Sequence, residues 1–152
     1  MKPIRNSAKA IIIQQGKLLL TKNKDNDGFF YLFPGGGQEH GEVLKETLKR
    51  ECIEELGVQV EVQDLVYVRE YIGKNHEFAA WDHDVHQVEF YFVCSLAQEA
   101  PAQMDGTQPD PDQIGVEWVD IRQLDHIRLY PKALGHHLVN SEMNVRYLGD
   151  VN

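Results

Sequence analysis

The chain is expected to fold as a mixed α/β domain, an α/β/α sandwich with a central mixed sheet. Three observations predict it. Residues 8–13, 17–21, 58–71 and 85–96 carry the alternating or continuous apolar runs of strands. Residues 43–56 carry the i+4 apolar spacing of an amphipathic helix. Strand-like segments also lie on both sides of that helix, the order of a layered α/β arrangement. At 152 residues the chain is long enough for one domain with a proper core and too short for two, so residues 1–152 are read as a single domain. No internal repeat or linker divides it.

The first two strands should join as a hairpin through the tight turn Gln14-Gln15-Gly16. Residues 23–28 form a polar loop and 29–33 a short aromatic strand. Pro34-Gly35-Gly36-Gly37 is expected to be irregular, because proline and three glycines disfavour both helix and sheet. The helix over 43–56 follows, with Leu44, Leu48, Cys52 and Leu56 as its buried stripe. Gly57 stands where a C-terminal cap belongs. Residues 58–71 read as one long or bent strand. The strand over 85–96 places Val88, Phe90, Phe92 and Cys94 on one face and Glu89 on the other. Residues 98–113 are a proline-rich acidic loop. A strand over 116–119, a helical turn over 121–124 and a terminal helix over 131–140, with Pro131 in its first turn, complete the layout.

Net charge is −9, which argues against a protein that grips duplex nucleic acid through its phosphates. An acidic protein that works on anionic phosphates needs cations to bridge them. Cys52 and Cys94 both fall at apolar-periodic positions, so buried free thiols in a reducing compartment are expected rather than a disulfide. The apolar run after the basic start covers only residues 10–13, too short for a secretory core or a membrane span, and a cytoplasmic location is expected.

Function concentrates in the helix. At roughly 100° per residue, Glu51 and Glu55 lie about 40° apart around the axis, and Glu54 about 60° to the other side of Glu51. Three carboxylates on one face repel one another unless a positive group sits among them, and an oxygen-ligated divalent cation suits that role. Arg50 and Glu54 are an i,i+4 pair, close enough for the guanidinium to orient that carboxylate. These acids border the apolar stripe and should face a cleft. Read alone, an acidic patch of this kind is an ordinary solvated helix face.

The full spacing changes that reading. Gly36, five residues, Glu42, seven residues, then Arg50-Glu51-Cys52-x-Glu54-Glu55-x-Gly57-Val58 resembles the box that defines the Nudix (MutT-like) hydrolase family. All seven fixed positions match, while Cys52 is a small occupant of a bulky apolar position. The resemblance implies hydrolysis of a nucleoside diphosphate linked to another group, with Mg²⁺ or Mn²⁺ as cofactor. It implies Glu51 and Glu55 as direct metal ligands and Glu54 as a ligand or as the residue that positions water. Arg50 would hold the cluster in shape. Gly36 can offer its carbonyl to the metal, and Glu42 either joins the metal shell or pairs with Arg50.

A general base is sought downstream, with Glu89 the first candidate and Glu99, Asp105, Asp110 and Asp112 behind it. Substrate recognition is expected in residues 72–86, where Phe78 and Trp81 can stack on a nucleobase or pin the loop to the core. The expected partner is a nucleotide-type small molecule, met by a monomer or homodimer, with no membrane contact. A non-catalytic nucleotide sensor on the same fold is the alternative reading. A calcium module is a third, but the EF-hand spacing is missing.

Overall fold

A computed structural model describes residues 2–140, 144 and 146–152. Strand β1 (Arg5–Gln14) turns through Gln15 and Gly16, both at positive φ, into β2 (Lys17–Asp25). That is the backbone a two-residue hairpin needs to match strand twist. Strands β3 (Gly28–Leu32) and β4 (Gly35–Gly37) lead into helix α1 (Leu44–Leu56). Strand β5 (Val60–Ile72) follows, then a 3-10 turn (Gly73–Asn75), the short helix α2 (Ala79–Asp82) and β6 (His86–Leu96). Strand β7 (Gln113–Asp120), a second 3-10 turn (Ile121–His126), β8 (Leu129–Tyr130), α3 (Lys132–Val139) and β9 (Arg146–Asp150) complete the order.

The described strands form a nine-stranded mixed sheet in the order β8-β3-β2-β1-β6-β5-β9, with β4 also on β1 and β7 also on β2. Beyond the hairpin tip, β1 parts from β2. It takes β4 as antiparallel partner on one side and β6 as parallel partner on the other. Side-chain alternation along β1 then serves two cores. Ala8, Ala10 and Ile12 pack with Leu48, Cys52 and Leu56 of α1 and with Phe92 and Cys94. Ile11 faces the other way, where Tyr67 and Tyr91 meet Leu124, Leu134 and Leu138 of the second 3-10 turn and α3. Each fully buried leucine contributes about 1.5–3 kcal/mol, so α1 is held to the sheet by its apolar stripe rather than by its caps. Its first residue follows Val43, which offers no side-chain cap. Gly57, at φ +70°, closes the other end by donating its N–H to the Ile53 carbonyl.

The sandwich and the helix agree with expectation; other segments differ, and residues 23–25, expected in a polar loop, continue β2. Gly35–Gly37 is not irregular but pairs with Ser7–Lys9 as β4. A Cβ on Gly35 would lie 2.0 Å from the Ala8 carbonyl oxygen, so the two backbones approach too closely for any side chain. Residues 72–86 contain two helical turns rather than a plain loop. Strands β8 and β9, both absent from the sequence reading, run parallel to β3 and β5 respectively. Of the expected terminal helix over 131–140, residues 132–139 are helical.

Candidate active site

The site begins with β4. Gly35 sits at φ +137° and donates its N–H to Glu55 Oε2 at 3.1 Å. At Gly36 a Cβ would meet the Glu51 carboxylate at 2.5–2.7 Å, so glycine leaves that acid the space it occupies against the strand. Beyond Gly36, the Gly37 carbonyl accepts from Arg50 Nη2 at 3.0 Å. Three consecutive glycines therefore form a bare backbone ledge along the acidic side of α1.

Arg50 organises the acids. Its Nε and Nη2 take both oxygens of Glu42 at 2.8 and 3.0 Å, and Nη1 reaches Glu51 at 3.1 Å and Glu54 at 3.4 Å. Glu42 also accepts from the Glu39 N–H and the Thr47 hydroxyl. The Arg50 hydrogen bonds, above all, hold the Glu42 carboxyl at about 2. Of the two roles left open for Glu42, the structure displays the pairing with Arg50. Among the described residues, no three His, Cys, Asp or Glu side chains close into a finished metal cage; the carboxylates converge on Arg50.

Glu55 is 3% exposed. Burial pushes its carboxyl up to about 8, against the opposing pull of Lys9 and the Gly35 N–H. Burial and the neighbouring Glu54 charge likewise raise Glu51. Asp110 adds negative charge to both, which brings one of the loop acids named from sequence into the site's field. Buried oxygen donors short of positive charge suit a hard divalent cation. The residues present fit one.

The chain on both sides of Asp110 is fastened to the end of α1. Gln108 donates its backbone N–H to the Glu54 carbonyl at 2.9 Å, and Gln113 Nε2 donates to the Glu55 carbonyl at 2.9 Å. These contacts satisfy carbonyls that a helix end otherwise leaves unpaired.

On the other side of Lys9 lies a cavity of about 670 Å³. Phe78 and Trp81 both line it, as do Phe30, Arg128 and Tyr130. Phe78 meets the Tyr130 ring edge-on at 5.5 Å, whereas Trp81 is 81% exposed at the rim. Arg128 lies over the Phe30 and Tyr130 rings at 5.4 and 5.8 Å while it pairs with both oxygens of Asp25 at 3.0 and 2.9 Å. Glu89 lines the cavity too. It accepts from Arg69 Nε at 2.6 Å and from the Tyr91 hydroxyl at 2.7 Å. Burial raises its carboxyl, but the Arg69 and Lys9 charges and these two bonds outweigh burial and leave it below the ordinary range. Arg69 in turn donates to the Val151 carbonyl at 2.6 Å and to Asn152 Oδ1 at 3.3 Å.

Glu99 and Asp105 do not line the cavity, whereas Asp112 does. Sequence reasoning missed Lys9, Arg69, Arg128, Tyr130 and Asn152. For Lys9 a signal existed, a lysine between Ala8 and Ala10 in a strand otherwise apolar to Ile13.

A sequence profile of the NUDIX domain matches residues 3–138. Among curated proteins, the chain is 26% identical over 141 residues to "Nucleoside diphosphate-linked moiety X motif 6" of Xenopus laevis, covering 84% of this chain and 60% of that protein. It is 43% identical over 58 residues to "Nucleoside triphosphatase NudI" of Salmonella agona (strain SL483), covering 36% of this chain and 41% of the relative. The chain thus spans less than two thirds of the curated relatives it matches. Among solved structures, a NUDIX hydrolase from Nitrosomonas europaea superposes with a TM-score of 0.71 at 17% identity, covering 93% of this chain and 92% of that one. A MutT NUDIX hydrolase from Burkholderia pseudomallei gives 0.67 at 22% identity, covering 88% and 96%. These two likenesses concern the fold. The profile match, spread over nearly the whole chain and enclosing every residue of the motif on α1, makes this protein a member of the NUDIX family.

Proposed function

We propose that residues 1–152 act as one domain that hydrolyses a phosphoric anhydride in which a nucleoside diphosphate is joined to another group. The observation that carries this is the gathering of Glu51 and Glu54 on Arg50 and of Glu55 on the β4 ledge, whose Gly35 pairs with Lys9 at the wall of the cavity. Glu51 and Glu55 would hold a magnesium or manganese ion, with Glu54 and the Gly36 carbonyl as further donors and Glu42 retained by Arg50. A divalent cation there supplies positive charge for the phosphoryl oxygens and makes attacking water more acidic. Glu54, which the family resemblance also gives the role of positioning water, takes up the proton that the water loses. Water oxygen bonds to phosphorus, the bond to the bridging oxygen breaks, and that oxygen departs with the electron pair.

In this reading Glu89 anchors Arg69 rather than accepting that proton, since the Arg69 and Lys9 charges and the two hydrogen bonds to it make its carboxylate a poor base. E89Q separates the roles: loss of an anchor loosens binding across the pH range, whereas loss of a base abolishes the acidic limb of the kcat profile. The two relatives' names, one a diphosphate-linked moiety and the other a nucleoside triphosphatase, support the substrate class. Cys52 and Cys94 are buried and free, which accords with a reducing, cytoplasmic location. No described helix is long and apolar enough to cross a membrane. The expected assembly is a monomer or homodimer.

The test is a panel of nucleoside triphosphates and diphosphate-linked nucleotides, read for product with Mg²⁺, with Mn²⁺ and in EDTA. Metal-dependent turnover of at least one member is expected. Binding of a nucleotide with no turnover under any condition would return the chain to the sensor reading.

A further inference from the structure

Three cations line the cavity: Lys9, Arg69 and Arg128. Arg69 is committed to Glu89, the Val151 carbonyl and Asn152. Arg128 is committed to both oxygens of Asp25. Lys9 is different. Its one hydrogen bond goes to a neutral acceptor, the Phe33 carbonyl, at a long 3.3 Å, and among the described residues it forms no ion pair. An ammonium carries three donors, so two remain for something else.

Its position is set by the sheet. On β1, Lys9 stands opposite Gly35 of β4 and Tyr91 of β6. Gly35 is the residue whose N–H holds Glu55, and Tyr91 is the residue whose hydroxyl holds Glu89. Lys9 thus stands between the acids of α1 and the cavity, and its charge acts on both Glu55 and Glu89. A half-buried lysine with no carboxylate in ion-pair reach among the described residues is uncommon, because desolvating an ammonium is costly unless its donors are used. Structural service to the Phe33 carbonyl, with long-range attraction to Glu55 and Glu89, would still leave two of them without an acceptor.

We propose that Lys9 is the phosphate-binding cation of this site, clamping the diphosphate of the substrate between the acidic helix and the aromatic end of the cavity. The assignment rests on the hydrolase reading for its catalytic consequence, but not for binding. The other carboxylates lining the cavity, Asp27, Asp82 and Asp112, have no cationic partner among the described residues. They repel a second anionic group there. The diphosphate is therefore drawn to Lys9, and the neutral part of the nucleotide is left to Phe78, Phe30 and Tyr130.

Binding of ADP, GDP, CDP and UDP, each against its parent nucleoside, should be measured by calorimetry in EDTA for the wild type, K9M, K9Q and K9R. The wild type should prefer at least one diphosphate to its nucleoside. K9M and K9Q should weaken diphosphate binding about tenfold to a hundredfold, the scale of a charge-assisted hydrogen bond, with nucleoside binding unchanged. K9R should retain most of the preference. K9Q keeps a donor for the Phe33 carbonyl, so a purely structural role predicts wild-type behaviour from it. A preference preserved in K9M or K9Q overturns the proposal, as does a wild type that binds diphosphate and nucleoside alike. In turnover the same variants should raise KM more than they lower kcat. If the wild type shows the Lys9-dependent preference yet hydrolyses nothing, the hydrolase reading fails and the phosphate clamp stands.

Discussion

On α1, one guanidinium gathers Glu42, Glu51 and Glu54 within 3.4 Å, and all four residues lie inside fifteen positions of sequence. Across Lys9 the cavity wall is assembled from β1, the end of β2 and its turn into β3, β3 itself, β5, α2, β6, Asp112, the segment around Arg128 and the residue Asn152. The first region is local, densely hydrogen-bonded and crowded with charge. The second is drawn from the whole chain, and each part gives one to three side chains. Reaction chemistry tolerates little displacement, which favours one helix against one bare strand. Recognition is a sum of separate contacts, so its parts can be scattered.

That contrast can be broken by mutation. The largest effect is expected at the helix: E51Q or E55Q should lower kcat about a hundredfold or more in the Mg²⁺ assay. The melting temperature of E55Q should not fall, because a buried carboxyl is replaced by a neutral amide of the same shape. A destabilised E55Q with normal kcat would make that acid part of the frame rather than of the chemistry.

Next comes the glycine ledge. In G36A the new methyl group would displace only the flexible end of Glu51, so kcat should fall about tenfold to a hundredfold with little change in melting temperature. G35A should behave in the opposite way. It collides with the Ala8 carbonyl at a positive φ and should lower stability by about 3 kcal/mol in urea titrations. Equal behaviour of the two variants would contradict the division between ledge and frame.

Smaller effects belong to the cavity. F78A removes the ring that meets Tyr130 and should raise KM about tenfold while leaving kcat nearly intact. W81A should change KM about threefold at most and leave the melting curve unmoved, since most of that ring lies in solvent. A W81A variant with the larger KM defect would mean that the rim closes over the substrate.

The same contrast explains what could be read from the sequence. The α1 stripe was legible because Leu48, Cys52 and Leu56 repeat at the helical period and their contacts are with whatever sheet lies beneath. The acid cluster was legible because its spacing is local. Strand β4 was not, since glycine weakens strands in general, and only the tertiary approach of β1 makes bare backbone the better choice here. Arg69 and Glu89 were invisible as a pair, because they meet through the register of β5 on β6 and sequence periodicity does not fix that register. Strand β9 escaped for a related reason: its place depends on Asp150 reaching the Ile72 N–H and Asn75, far back along the chain. Arg128 and Lys9 likewise acquire meaning only from what faces them.

The pairing of β1 also bears on how the protein is made. That strand meets β2 only at the hairpin tip, while its long partner extends to Cys94, opposite Ile12. A nascent chain emerging from the ribosome therefore carries an open strand edge until β6 is synthesised, the kind of distant pairing that slows folding and invites association with other chains. Lys9 gains Tyr91, and the Glu89 that Tyr91 holds, only at that late stage, so a truncated translation product ending before β6 would contain the whole acidic motif and still lack that wall of the cavity.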